Sequence, residues 1–119
     1  RTTYTRDPDL LGVITRAFPR LAPAVGRMRT LVEKTDITRL ALLYLHGGVY
    51  ADLDAYALAP LDSWRRCDAP MVLGLDSAMG KLNNGVMLAA KSAAFLRLWR
   101  ESYREYRPRP YVLGVATRV

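Results

Sequence analysis

Cysteine and histidine are nearly absent, with one of each in 119 residues. A lone Cys67 excludes an intrachain disulfide and leaves the redox compartment open. With one histidine beside it, a thiolate-type zinc site is excluded too. Long hydrophobic runs are also missing. The longest stretch without charge, Leu40 to Ala51, falls short of the ~20 residues that a membrane span needs. It contains Gly47-Gly48, so it reads as a buried helix running into a turn. No secretory signal is visible. Acidic residues are the minority, 11 against 18 basic, for a net charge of +7. That balance favours polyanionic partners in general: nucleic acid, an anionic membrane or a diphosphate-bearing substrate. The basic residues are scattered, and their densest run, Arg97 to Arg109, is interrupted by Glu101 and Glu105.

What is present is ordinary globular composition, half hydrophobic and about a quarter charged, which excludes disorder and predicts one compact domain. The sequence opens on Arg1 rather than Met, and Tyr111 to Val119 runs out without a clear terminator. It therefore reads as a piece of a longer protein. Asp7-Pro8 predicts a helix start, with Asp as the cap and Pro in the first turn. Leu10, Leu11, Ile14 and Phe18 follow at helical spacing, and Pro19 and Pro23 should break that helix. A second helix is expected from Thr35 or Asp36 to His46. Its apolar face is Ile37, Leu40, Ala41, Tyr44 and Leu45, and Gly47 is the left-handed stop. A short strand, Val49-Tyr50-Ala51, then delivers Asp52-Leu53-Asp54. Leu58 to Trp64 reads as a loop and short turn. Met71 to Leu75 and Gly85 to Ala89 read as strands, and Asn83-Asn84-Gly85 as a tight hairpin turn, since Asn-Gly favours positive φ. The last helix, about Ser92 to Tyr106, should bury Phe95, Leu98, Trp99, Tyr103 and Tyr106. With no repeat or low-complexity segment, this order predicts an α/β layer arrangement.

Asp52 and Asp54 are the leading chemical candidates. Two carboxylates at i and i+2 on a strand end share a face and can converge on one ion, or on an ion and a ribose. Their hard oxygens suit Mn²⁺ or Mg²⁺, which keep waters and take phosphate oxygens as further ligands. The spacing alone is weak evidence, because Asp-x-Asp also arises by chance. Asp7-Pro8-Asp9 is such a case, better read as acidic residues at a helix N-terminus.

Context separates the two pairs. The stretch from Thr35 to Asp54 has an Asp (Asp36), an Arg three residues later (Arg39), an apolar helix, Gly47-Gly48-Val49-Tyr50, and then Asp52-Leu53-Asp54. This order closely resembles the sugar-binding region of the DXD glycosyltransferases, a family that includes fungal initiating α-1,6-mannosyltransferases, animal α-1,4-galactosyltransferases and, more remotely, clostridial glucosylating toxins. The likeness extends loosely over residues 8 to 107, through Pro60-Leu61, Asn84-Gly85 and the aromatic-rich last helix, but only residues 36 to 54 are specific.

The resemblance implies a partial nucleotide-diphospho-sugar transferase domain of the GT-A, Rossmann-like type. Residues 1–119 would be its central part, without the N-terminal nucleotide-binding strand and the C-terminal segment. It also implies a hexosyl transfer, with retention, from a UDP- or GDP-sugar to a glycan or glycolipid acceptor. No nucleic-acid partner and no membrane span within the chain are expected. The compartment would be the Golgi lumen for a eukaryotic protein and the cytoplasm for a bacterial one. In this reading Asp52 and Asp54 are the catalytic pair. Asp54 ligates the metal directly, whereas Asp52 contacts the donor's ribose and sugar and reaches the ion through water. Asp36 and Arg39 hold donor-sugar hydroxyls, with Tyr50 and Asn84 beside them.

Each of these residues also has a plainer reading. Asp36 and Arg39 could form an i, i+3 surface ion pair worth tenths of a kcal/mol, Tyr50 could be a buried strand tyrosine, and Asn84 a turn residue. His46 reads as a helix C-terminal residue and Cys67 as inert. Two other classes compete. A haloacid-dehalogenase-type phosphatase also carries Asp-x-Asp after a strand, but here Ala55-Tyr56 follows, where that class places a residue and then Thr or Val. A non-enzymatic basic module would need a concentrated basic surface with stacking aromatics, which only Arg97 to Tyr111 approaches.

Overall fold

The computed structural model describes residues 7–107. The terminal run from Tyr111 onward and the cap expected of the Asp7 side chain lie outside what is described. The first helix, α1, spans Asp7–Ala17. Leu10, Ile14, Ala17 and Phe18 are buried at positions that share one helical face, while Leu11 is 52 % exposed. A single 3₁₀ turn, Pro19–Leu21, follows. Then comes α2, Ala22–Arg27, with a proline in its first turn. Pro19 thus ends a helix as expected, but Pro23 opens one, because a proline's missing N–H costs nothing there.

The central helix, α3, spans Leu31–His46, several residues longer at its start than the apolar periodicity indicated. Thr30 and Glu33 form a capping box: the Thr30 hydroxyl accepts from the Glu33 amide at 3.3 Å, and the Glu33 carboxylate accepts from the Thr30 amide at 2.8 Å. These bonds satisfy amides that a helix start leaves free. Leu31 and Val32 are exposed, so the first turn adds nothing to the apolar face. At the other end Gly47 has φ 66°, and its N–H donates to the Leu43 carbonyl at 2.7 Å. A Cβ there would lie 2.7 Å from the Lys91 amide nitrogen, so both conformation and space require glycine.

Strand β1, Gly48–Ala51, follows at once. A short helix, α4 (Asp62–Arg65), precedes β2, Met71–Asp76, and β3, Lys81–Ala89. The sheet order is β1-β3-β2, with both pairs antiparallel. The α/β class holds, while the parallel pairing of a doubly wound sheet does not occur among the described residues. The reverse turn between β2 and β3 lies at residues 77–80, where the Asp76 carboxylate accepts from the Ala78 and Met79 amides at 3.0 and 3.1 Å. Asn83-Asn84-Gly85 is therefore not a hairpin turn but part of β3. The positive φ that Asn-Gly favours occurs at none of the three.

Just past Asn83 the strand bulges instead. Leu73 pairs with Met87, and its neighbour Gly74 pairs with Asn83, so residues 84–86 have no partner on β2. On the other side Val86 still pairs with Ala51, and the Asp52 amide donates to the Gly85 carbonyl at 2.7 Å.

The last helix, α5, spans Ala94–Glu101, with turns continuing to Tyr106. Leu96 is fully buried and Trp99 nearly so, but Leu98 is 67 % exposed, against expectation. Position 98 lies roughly a third of a turn from the middle of the face that Leu96, Trp99 and Tyr103 share. One core unites Ile14, Phe18 and Leu21 with Ile37 and Leu40 of α3, Met87 of β3 and Leu96 of α5. Each such side chain contributes about 1.5–3 kcal/mol by leaving water, which makes α3 the rigid member on which the site is built. No helix among the described residues is long and apolar enough to cross a membrane.

Candidate functional site

Arg39 projects from the middle of α3 toward the bulge in β3. It is 9 % exposed. Its Nη2 lies 3.3 Å from Asp36 Oδ1, and its Nη1 lies 3.3 Å from Asp52 Oδ1. Nη1 also donates to the Asn84 backbone carbonyl at 2.9 Å and to its side-chain oxygen at 3.3 Å. The guanidinium stands 4.8 Å from the centre of the Tyr50 ring, within cation–π range. The Tyr50 hydroxyl donates to Asp52 Oδ1 at 2.7 Å, and the Asn84 amide donates to Asp36 Oδ1 at 3.1 Å. Asp36, Arg39, Tyr50, Asp52 and Asn84 thus form one network.

Each comes from a different local cause. Asp36 and Arg39 are successive turns of a capped helix. Asp52 is held by the first residues past β1, and Asn84 is swung toward α3 because the bulge frees it from β2. The surface-pair reading of Asp36 and Arg39 fails, since their side chains are 13 % and 10 % exposed. The turn reading of Asn84 fails with the hairpin.

Burial pushes the Asp36 carboxyl above its ordinary value of 3.8, against the pull of Arg39 and the Asn84 amide, with the Asp52 and Glu33 charges adding to the rise. Burial and the hydrogen bond to Asp52 push the Tyr50 hydroxyl up to about 12, so it stays a donor. Arg39 Nε is buried without a hydrogen-bond partner among the described residues, a deficit of about 1–3 kcal/mol that a well-ordered site rarely carries.

Two tyrosines read as core residues also face α3. The Tyr106 hydroxyl donates to Glu33 Oε1; burial and that bond push it up to about 12. Tyr103 is raised by burial and by the Asp36 charge. Burial acts to raise the Glu33 carboxyl, yet its bonds from Tyr106, Thr30 and Arg29 outweigh this and leave it lowered.

Asp54 stands apart. β1 ends at Ala51, and the Ala55 amide donates to the Asp52 carbonyl at 3.0 Å, closing a turn with Leu53 and Asp54 at its centre. The alternation of side chains along a strand therefore does not extend to Asp54. It is exposed, as are Leu53, Tyr56 and Leu58 around it, and it makes no hydrogen bond or ion pair to the described residues. Its oxygens and those of Asp52 fit a hard divalent cation that takes the rest of its shell from water and phosphate. No group of three His, Cys, Asp or Glu side chains able to hold a metal occurs among the described residues.

The description that matches this chain, over residues 7–69, is that of the glycosyltransferase sugar-binding region containing a DXD motif. The match covers more than half of the sequence. The chain belongs to that glycosyltransferase family. It is also similar to the initiation-specific alpha-1,6-mannosyltransferases of Candida albicans and Saccharomyces cerevisiae. Each is 39% identical over 46 residues, or 39% of this chain, and the stretch covers 12% and 10% of the two relatives. The chain thus matches only about a tenth of their length. No solved structure is a significant match. Membership displaces both the phosphatase and the non-enzymatic basic module.

One residue at the site went unread in the sequence. Gly85 lies against the Asp52 carboxylate, but its place after two asparagines suggested a turn. The strand read from Gly85 to Ala89 already included it, but its approach to Asp52 depends on the pairing of β3 with β1, which no local signal marks.

Proposed function

We propose that this chain is the donor-sugar and metal part of a GT-A-type catalytic domain. It would move a hexosyl group, with retention, from a UDP- or GDP-sugar to a glycan or lipid-linked acceptor, with Mn²⁺ or Mg²⁺ as cofactor. The observation that carries this reading is the convergence of Asp36, Arg39, Tyr50, Asp52 and Asn84 beside the DXD turn. The mannosyltransferase names of the relatives support a hexosyl donor.

The chemistry follows from what each side chain offers. Asp36, Asn84 and the Arg39 guanidinium gather acceptors and donors within hydrogen-bonding distance of one another, a chemistry that suits sugar hydroxyls. Tyr50 packs on Arg39 and orients one oxygen of Asp52, leaving Oδ2 with only a long 3.5 Å contact to Arg39. That oxygen is free for a ribose or sugar hydroxyl. Asp54, exposed and unengaged, would hold the cation directly, with Asp52 behind it. When bound, the cation neutralises the charge that builds on the departing diphosphate. Holding the sugar rigidly while its bond to phosphate weakens is the protein's larger contribution. The three-stranded unit would then be the part of the catalytic domain that receives the sugar and diphosphate, and residues 1–119 its central portion.

The test is transfer or hydrolysis of UDP- and GDP-sugars by the full-length protein, with Mn²⁺ and then with excess EDTA. Turnover that needs Mn²⁺ and is lost in Arg39→Lys supports the reading. Turnover indifferent to EDTA removes the metal from it, and absence of turnover with every donor rejects it.

A further inference from the structure

Gly85 has an unusual reason for being glycine. Its φ is not among the positive values that Gly47, Gly48 and Gly80 adopt, so its backbone suits any L-residue. What it lacks is room. A Cβ at this position would lie 2.8 Å from Asp52 Oδ2, 3.7 Å from its Cγ and 2.8 Å from Asn83 Oδ1. Carbon–oxygen contacts that short do not occur without something moving.

The two neighbours differ in how they could yield. Asn83 is exposed and can rotate away, at the cost of its 2.6 Å bond from the Gly85 amide. Asp52 is tied on three sides. Its amide is bonded to the Gly85 carbonyl at 2.7 Å, its Oδ1 accepts from Tyr50 at 2.7 Å, and Arg39 Nη1 stands 3.3 Å away. The bulge at residues 84–86 brings this backbone up to the carboxylate, as bulges beside functional sites do when they re-aim a side chain.

We propose that Gly85 is a positioning residue: its missing side chain sets how deeply the Asp52 carboxylate sits between Arg39 and Tyr50, and any larger residue drives that carboxylate off its seat. The catalytic consequence rests on the role given to Asp52 above, whereas the steric coupling does not. In the full-length protein, Gly85→Ala should lower kcat on the order of a hundredfold, the scale on which misplacement of a reacting group acts. Its NMR signals from the Arg39 guanidinium should shift in the direction seen in Asp52→Ala.

A double-mutant cycle isolates the contact. Adding Gly85→Ala to Asp52→Ala should lower the melting temperature less than Gly85→Ala does in the wild type, because only the Asn83 contact is left to displace. Should Gly85→Ala alone fail to fold, folding of the double variant would support the coupling, and failure of both would overturn it. Wild-type Arg39 signals in Gly85→Ala, or equal losses of melting temperature in both backgrounds, would also overturn it. If no variant transfers sugar, the wild type included, the transferase role of Asp52 fails while the signals and the cycle still decide the steric claim.

Discussion

Arg39 and Asp54 stand fifteen positions apart, and they are held in opposite ways. Arg39 is buried and touches Asp36, Tyr50, Asp52 and Asn84. Asp54 projects from an exposed turn beside Leu53 and Leu58, each 99 % exposed. The first region is already assembled. The second has few contacts to hold one conformation, the usual condition of segments that order around a ligand. The network around Arg39 is thus built into the fold, whereas the turn that carries Asp54 is left to solvent.

Substitution of Arg39 tests the contrast most severely. Arg39→Met leaves Asp36 and Asp52 without their counter-charge and should cost about 3–5 kcal/mol. The lower end is expected, because the Asp52 side chain is 36 % exposed and water screens it. Urea denaturation at neutral pH measures this, and a loss under ~1 kcal/mol would mean that the network is no more integral than a surface pair.

Asn84→Ala removes one donor to Asp36 and one acceptor for Arg39 but keeps the backbone carbonyl contact. A loss of about 1–3 kcal/mol is expected, the cost of leaving buried polar groups unpaired. The same denaturation series checks it. An unchanged midpoint would show that the bulge is passive.

A subtler comparison lies within α3, between Asp36 and Glu33. The folded-state pKa of Asp36 is raised by burial, so the native state binds more protons than the unfolded state just above pH 3.8. Stability from this group is therefore lost as pH rises through the raised value. Glu33 is lowered, so its contribution is present above its ordinary pKa and is lost as pH falls through the lowered one. Asp36→Asn should remove the first dependence and leave the second. Melting temperatures of wild type and variant across about pH 3 to 6 would show a difference that varies with pH; a constant offset would contradict the raised pKa.

The smallest effect on stability should come from Asp54. Asp54→Asn is expected to change unfolding free energy by no more than ~0.5 kcal/mol, as for an exposed residue without partners, while abolishing metal-dependent transfer. Near-normal transfer by this variant would remove Asp54 as the ion's ligand.

Much of the site was legible in the sequence, and unevenly so. Asp36, Arg39, Tyr50, Asp52 and Asn84 were all singled out, and the structure brings them together; the first four come from a single span of 17 residues. The core face of α3 was legible because helical spacing of apolar residues is a local pattern. Its true start was not, because the Thr30–Glu33 box adds polar bonds where Leu31 and Val32 face water. Leu98 was taken as core because it stands at helical spacing from Phe95 and beside Trp99, and only the packing of α5 showed otherwise.

The sequence by itself determined the apolar face of α3, the glycine stop and the position of the two aspartates just after a short strand. These depend on neighbours within a few residues, through hydrogen bonds and side-chain periodicity. Only the tertiary structure decided that residues 84–86 form a bulge, that Arg39 is buried and that Asp54 lies in a turn rather than on the strand. A bulge exists only relative to the strands on either side of it, and here β1 keeps its register with β3 while β2 skips three residues. Burial of Arg39 likewise needs Asn84, 45 positions away, and no local pattern encodes a contact over that distance.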